Sequence, residues 1–257
     1  MKRFKALSLL LAVVLILSVS ACTLKGPDKK LVVATNAQFP PFEYVTEAGQ
    51  GVIDKYDGID ILIVQEIAKD HGFKIEIADM EFNSIIASVT TGKADIGVAG
   101  MTDTADRREN VDFSIPYWVA VQTIIVPETN TDITSAESLK GKKVGVVTGY
   151  TGDSALSDMG DINLLRFNKG IDAVMELTNG KLDAVVIDSP TANRFIEKFD
   201  GLKAVYDDTV FETEQYAIAV QKGNQELLDK INSTIERLIA NKDIERFAEE
   251  IDARFQS

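Results

Sequence analysis

Four runs in this 257-residue chain read as β-strands, and each is followed at once by side chains that can bind a small polar molecule. After residues 31–34 come Asn36 and Phe39, and after residues 95–98 come Gly100, Thr102, Thr104 and Arg107. After residues 144–147 come Thr148, Gly149, Tyr150, Thr151 and Gly152, and after residues 184–187 comes Asp188-Ser189-Pro190. In open α/β sheets ligands bind beyond the carboxyl ends of the strands, where helix N-termini present free N–H groups. One arginine, one acidic residue, hydroxyls and aromatics are a set that suits a zwitterion. Arg107 can hold a carboxylate by a two-pronged contact, Asp188 can accept from an ammonium, and Phe39 and Phe82 can cover the ligand and exclude water.

Each of these residues also has a plainer structural reading. Arg107 beside Arg108 could be a solvated pair at a helix start. Asp188 ahead of Ser189-Pro190 could simply open a helix, because Ser caps and Pro suits the first turn. Phe39 and Phe82 could be core aromatics, and Asn36 a turn residue. Other chemistries lack their residues. With one His and one Cys in the chain, no His/Cys zinc cluster can be built, and His71 reads as a helix-end residue. Asp54, Asp57 and Asp60 lack calcium-loop spacing and read as hairpin-turn and strand residues. Residues 148–152 are not a phosphate loop, because no Gly-Lys-Ser/Thr follows.

The elements that must position these side chains alternate strand and helix. Residues 31–34 read as a buried strand and residues 58–71 as a strand end leading into an amphipathic helix stopped by Gly72. Residues 74–77 alternate with period two, as a strand does. Residues 82–91 read as a helix closed by Gly92, and residues 95–99 as another strand. This rhythm predicts an α/β fold with mostly parallel sheets. It then repeats. The run from Lys29 to Thr35 echoes that from Lys142 to Thr148, and Gly92-Lys93-Ala94-Asp95-Ile96 echoes Gly180-Lys181-Leu182-Asp183-Ala184. The repetition suggests two similar lobes, the second opening near Ser138-Leu139-Lys140-Gly141, although short matches of this kind also arise in any α/β chain. Residues 224–255 carry apolar side chains at helical spacing and read as two helices broken near Asn241.

The N-terminus has a different character. Lys2, Arg3 and Lys5 precede an apolar run, and Val19-Ser20-Ala21 leads into Cys22, the single cysteine. A charged start, an apolar middle and small residues at a cut describe a secretory signal, here residues 1–21. A cut before a cysteine resembles a bacterial lipobox, which implies acylation of Cys22 and a tether over residues 22–29. The apolar run is short for a span of about 20 residues. Removing the three positive charges of the signal takes the chain's net −13 to −16. Basic clusters of the nucleic-acid-binding kind are absent, and so is a polybasic membrane patch.

Several motifs together are similar to the amino-acid substrate-binding proteins of ABC importers, which have the type II periplasmic-binding-protein fold. They are Pro40-Pro41-Phe42-Glu43-Tyr44, Gly58-Ile59-Asp60-Ile61, Gly92-Lys93-Ala94-Asp95, Ala99-Gly100-Met101-Thr102 through Thr104 and Arg107, Val111-Asp112-Phe113-Ser114, Pro116-Tyr117, Lys181-Leu182-Asp183-Ala184, and Glu214-Gln215-Tyr216-Ala217-Ile218-Ala219. The resemblance spans nearly all of the chain after the signal. It implies two Rossmann-like lobes joined by a two-strand hinge: residues 30–117 with 217–257 as lobe 1, and 118–216 as lobe 2, with crossings near 117–122 and 211–216. It implies that Arg107 and Thr102, with the Gly100 and Thr102 backbone, hold the α-carboxylate of a free amino acid. Asp188 would hold its ammonium, Phe39 and Phe82 would flank its side chain, Asn36 would probe the tip, and Thr151 would add a contact from lobe 2. Tyr150 stands where the family commonly has a small residue.

The resemblance further implies a monomeric, non-enzymatic receptor without a cofactor or metal. It would be lipid-anchored at the outer face of the cytoplasmic membrane, at the cell surface or in the periplasm, and would serve an ABC importer permease. A neutral Asn36 points to a polar uncharged amino acid, glutamine-like first and cystine second, while Glu43 nearby leaves a basic ligand open. The alternatives are a pocket enzyme of the cyclohexadienyl or arogenate dehydratase type, with Glu43 as its only nearby carboxyl, and a ligand-sensing domain for a signalling partner.

Overall fold

The computed structural model describes residues 29–256; the predicted signal, Cys22 and nearly all of the tether lie outside them. The chain begins with β1 (Lys29–Thr35) and a small antiparallel sheet of β2 (Gln38–Phe39), β3 (Glu43–Val45) and β4 (Tyr56–Asp57). The helix Ile59–His71 then leads to β5 (Phe73–Asp79). A 3-10 turn, Phe82–Ser84, and the helix Ile85–Thr90 precede β6 (Ile96–Gly97), and the short helix Ala105–Arg108 precedes β7 (Val111–Phe113). β8 (Trp118–Ala120) crosses to a second body containing β9 (Gln122–Pro127), β10 (Lys143–Val147), the helix Thr151–Met159 and β11 (Asn163–Phe167). The helix Gly170–Thr178, β12 (Ala184–Asp188), the helix Ser189–Lys198 and β13 (Leu202–Tyr206) complete it. β14 (Glu214–Tyr216) returns to β15 (Ala219–Gln221), and the helices Gln225–Ala240 and Asp243–Phe255 end the chain.

Two five-stranded sheets result, in the orders β5-β1-β6-β15-β7 and β11-β10-β12-β9-β13. In each, the first parallel strand lies between two parallel neighbours, and an antiparallel strand follows: β1 pairs β5 and β6, and β15 runs against β6. Correspondingly β10 pairs β11 and β12, and β9 runs against β12. The repeated Gly-Lys-x-Asp motif does the same work twice. Asp95 Oδ2 accepts the Val32 N–H at 2.7 Å, and Asp183 Oδ2 accepts the Lys143 N–H at 2.8 Å. The strand pairings set Val33 against Ile96 and Val144 against Ala184. The structural repeat is therefore offset by two residues from the sequence echo of Lys29–Thr35 with 142–148. A two-residue shift preserves which face each side chain takes, so the apolar pattern still matches.

The cores follow from the pleat. In the second sheet Ile124, Val126, Ala184 and Val186 pack into one cluster, while Ile125, Val185 and Ile187 turn to the other face. That other face belongs to a cluster continuous with the first lobe, which also takes in Leu31, Val33, Ile63, Ile67, Ile96 and Val220. Strands buried on both faces read as unbroken apolar runs, as in β12, where all five residues are buried. β8 and β14 pair antiparallel, Trp118 against Tyr216, and form the two-strand hinge between the lobes.

Three sequence expectations change. Asp60 is not a strand residue: it sits in the first turn of the helix Ile59–His71, fully buried. The expected strand over 95–99 shortens to Ile96–Gly97, because Gly100 turns the chain away at φ 49°. The second sheet already contains β9 from Gln122, upstream of residues 138–141.

Candidate functional site

The polar strand ends of both sheets face each other across the hinge. Between them is a narrow, partly open cleft lined by Phe39, Phe82, Ala99, Gly100, Thr102, Arg107, Tyr150, Thr151 and Asp188. Seven of the eight binding residues expected from the sequence lie on this wall; Asn36 does not. A larger groove lies between the lobes beside Tyr44 and Phe255; of its two cations, Arg194 is already paired with Glu197 and Asp252, and Lys198 lies 6.0 Å from the centre of the Phe199 ring.

Arg107 reaches the cavity from the short helix after β6, whose N-cap Thr104 accepts the Arg107 N–H through its side chain. The guanidinium donates through Nη1 to the Thr102 carbonyl at 2.7 Å and through Nη2 to the Gly149 carbonyl of the opposite lobe at 3.1 Å. Its carbon lies 5.1 Å from the centre of the Phe82 ring, within cation–π range. Burial pulls this guanidinium below its ordinary pKa, and the nearby Glu214 and Asp188 carboxylates pull it back up.

Asp188 ends β12 and occupies the N-cap position of the helix Ser189–Lys198, yet its side chain caps nothing. It accepts instead from the Tyr216 hydroxyl at 2.6 Å. Burial, reinforced by the charge of Glu214, pushes the Asp188 carboxyl up to about 7. A cation placed beside it would favour the ionised form, and a ligand ammonium is a group of that kind.

Gly100 is required at its position. Its φ is 49°, and a Cβ there would come within 2.5 Å of the Phe39 ring. Its N–H donates to Asp60 Oδ2 at 2.8 Å, so the expected N–H contact to a ligand carboxylate is already taken, leaving Gly100 its carbonyl. Asp60 Oδ1 accepts from the Tyr117 hydroxyl at 2.8 Å. Gly58, at φ 127°, lets the chain pass Phe42 where a Cβ would lie 2.0 Å from its carbonyl oxygen, and so sets the helix that carries Asp60.

Three further residues shape the site beyond the eight expected to bind. Tyr150 packs against Phe39 and Phe82, with ring centres 5.4 and 4.5 Å away; its only signal was its unusual size in that loop. Glu214, on the hinge strand, accepts from the Thr102 and Thr151 hydroxyls and from Gln122 Nε2. It stood inside a recognised motif without an assigned role. Glu43 is fully buried beside the Asp60 carboxyl, and among the described residues no N–H or hydroxyl donor reaches either of its oxygens. Burial, then the charge of Asp60, raises its pKa well above the ordinary value, and burial raises Asp60 as well. Two such carboxyls cannot both ionise cheaply.

Asn36 is buried just after β1. Its Nδ2 donates to the Met80 carbonyl at 2.8 Å, and its Oδ1 has no partner. His71 is the helix-end residue expected, with Nε2 2.8 Å from the Lys230 carbonyl.

Comparison with known proteins agrees with this architecture. The family model for bacterial extracellular solute-binding proteins, family 3, matches residues 31–251. A probable histidine-binding protein of Neisseria gonorrhoeae is 35% identical over 236 residues, covering 86% of this chain and 86% of that protein. Among solved structures, an ancestral arginine-binding protein bound to arginine superposes with a TM-score of 0.79 at 38% identity, covering 86% of this chain and 97% of that one. An ancestral arginine-binding protein bound to glutamine gives a TM-score of 0.78 at 38% identity, covering 87% of this chain and 98% of that one.

Proposed function

Since the chain belongs to the bacterial extracellular solute-binding proteins of family 3, a family of non-catalytic binding proteins, we propose that it captures one free amino acid between its lobes and hands it to an ABC importer permease. The observation that carries this is a narrow cleft with one cation and one carboxyl, Arg107 and Asp188, contributed by opposite lobes. In this reading Arg107 and the Thr102 hydroxyl take the α-carboxylate, with Thr151 adding to them from the second lobe. Asp188 takes the ammonium, and Phe39, Phe82 and Tyr150 enclose the side chain. The lobes are residues 30–117 with 217–257, and 118–216, a division supported by the pairing of β8 with β14. The protein works as a monomer held by an acyl chain on Cys22 at the outer face of the cytoplasmic membrane, a reading supported by the signal and the lipobox-like cut.

For the side chain of the ligand, the unpartnered acceptors favour a donor-rich tip. Glu43 pairs with Phe39 across β2 and β3, and directly paired residues present their side chains on the same face. A cationic tip would let Glu43 or Asp60 ionise, and Arg107 is the only cation on the cavity wall. We therefore place an arginine- or histidine-like ligand first, in line with the relatives named above. The glutamine-like ligand expected from Asn36 comes second, favoured by the free acceptor Asn36 Oδ1, and cystine falls behind both.

A thermal-shift panel of free amino acids tests this, because a ligand that binds only the folded state raises its melting point. Arginine, lysine or histidine should give the largest shift, and Glu43→Gln should reduce that shift more than the shift for glutamine. No shift with any amino acid would refute the function; a dominant shift with glutamine that Glu43→Gln leaves intact would refute the cationic assignment.

A further inference from the structure

Glu214 is the best-connected acidic side chain of the hinge, and its partners are the groups that a ligand would need. Its Oε2 accepts from the Thr102 hydroxyl at 2.5 Å and from the Thr151 hydroxyl at 2.8 Å, and its Oε1 accepts from Gln122 Nε2 at 3.0 Å. Gln122 Nε2 also donates to Thr151 Oγ1 at 3.0 Å. Thr102 belongs to the first lobe and Thr151 opens the helix Thr151–Met159 of the second. Glu214 lies on the strand between them, paired with Ala120 of β8. One half-buried carboxylate thus ties both lobes to the hinge. It also lies within electrostatic reach of Arg107 and Asp188, acting on both.

Two hydroxyl donors, an amide donor and a nearby guanidinium are what an amino acid's α-carboxylate would seek. A threonine hydroxyl carries a single proton. A proton donated to Glu214 is not available to a second carboxylate, and a second carboxylate at the same donors would be repelled by the first. We propose that Glu214 is a built-in rival of the ligand's α-carboxylate: it clasps Thr102 and Thr151 together, and ligand binding displaces it from them. Affinity is then set by an exchange of one carboxylate for another rather than by filling free donors. The clasp also draws the lobes together in the absence of ligand, so the resting protein is partly closed. The inference rests on the amino-acid-binding reading of the site.

The test uses the mature protein with Glu214→Gln, which keeps the shape and removes the charge, and Glu214→Asp, which keeps the charge but shortens the reach. Without amino acid, both variants should show a larger radius of gyration by small-angle scattering than wild type. Emission from Trp118, the only tryptophan, should shift too, because it sits on the strand paired with β14. In calorimetric titrations with L-arginine and L-glutamine, both variants should bind the preferred ligand about tenfold tighter or more, since hydrogen bonds to a charged group are among the stronger ones. Melting curves show whether each variant is folded. Equal or weaker binding by both folded variants would overturn the proposal and make Glu214 a support that holds the two threonines ready for the ligand. Unchanged scattering and Trp118 emission would overturn the clasp. Failure of wild type itself to bind any amino acid would instead overturn the reading of the site, while the scattering comparison would still decide the clasp.

Discussion

Replacing Arg107 is the sharpest perturbation of the proposed binding site, because this side chain reaches both lobes. The guanidinium bonds to one carbonyl in each lobe, Thr102 at 2.7 Å and Gly149 at 3.1 Å, and rests on Phe82. With the lobes closed over a ligand water is shut out, so a carboxylate left there without its cation is desolvated and unpaired. Removing one partner of a buried, hydrogen-bonded charge pair typically costs about 2–5 kcal/mol. At 1.4 kcal/mol per factor of ten, Arg107→Ala should weaken amino-acid binding by roughly thirty-fold to a few thousand-fold. Arg107→Lys should recover only part of this, because an ammonium cannot make the planar two-pronged contact. The melting point without ligand should move little. What Arg107→Ala loses there is two hydrogen bonds to backbone carbonyls from a half-buried side chain, and those carbonyls become free to meet water as the lobes part. Titration calorimetry of wild type and both variants against the preferred ligand measures the effect. Affinities within about twofold of wild type would refute the reasoning and leave Arg107 as a lobe-bridging residue with no ligand to hold.

Three further outcomes follow from the site and the N-terminus. Asp188 is raised from its ordinary value to about 7, so the folded state binds a proton there more tightly than the unfolded chain. Its contribution to stability is full below about pH 4 and is lost as pH rises toward 7; Asp188→Asn should therefore gain melting temperature relative to wild type over that interval, in the absence of ligand. An ammonium ligand needs the ionised form, so affinity should rise from pH 5 to pH 8 with proton release visible as a buffer-dependent binding enthalpy, and a flat profile would remove Asp188 as the ammonium partner. Cys22→Ser should abolish labelling by a radioactive or clickable fatty acid and release or misprocess the protein; a variant that stays membrane-bound through an uncleaved residues 1–21 would refute the lipoprotein reading.

Much of this molecule is legible in its sequence. The alternation of apolar runs with Gly-stopped helices specifies an α/β chain, because period two and period 3.6 leave different patterns in which side chains meet the core. The paired Gly-Lys-x-Asp motifs announce two similar sheets, since each aspartate closes the start of a parallel strand onto its neighbour in the same way. The residues at strand ends name the cavity wall from Phe39 to Asp188, because the topology of an open parallel sheet puts those ends at one edge. Which partners those residues meet was not legible, because it depends on how the two lobes come together. Tyr150 enters between Phe39 and Phe82 only across the lobe boundary. Glu214 finds Thr102 across 112 residues of chain and Thr151 across 63, separations at which no local pattern survives. Glu43 and Asp60 are ordinary acidic letters in a motif. Tertiary burial, with no lysine or arginine among the described residues hydrogen-bonded to either, turns them into an acidic pair without a cation, whose charge depends on what is placed beside it.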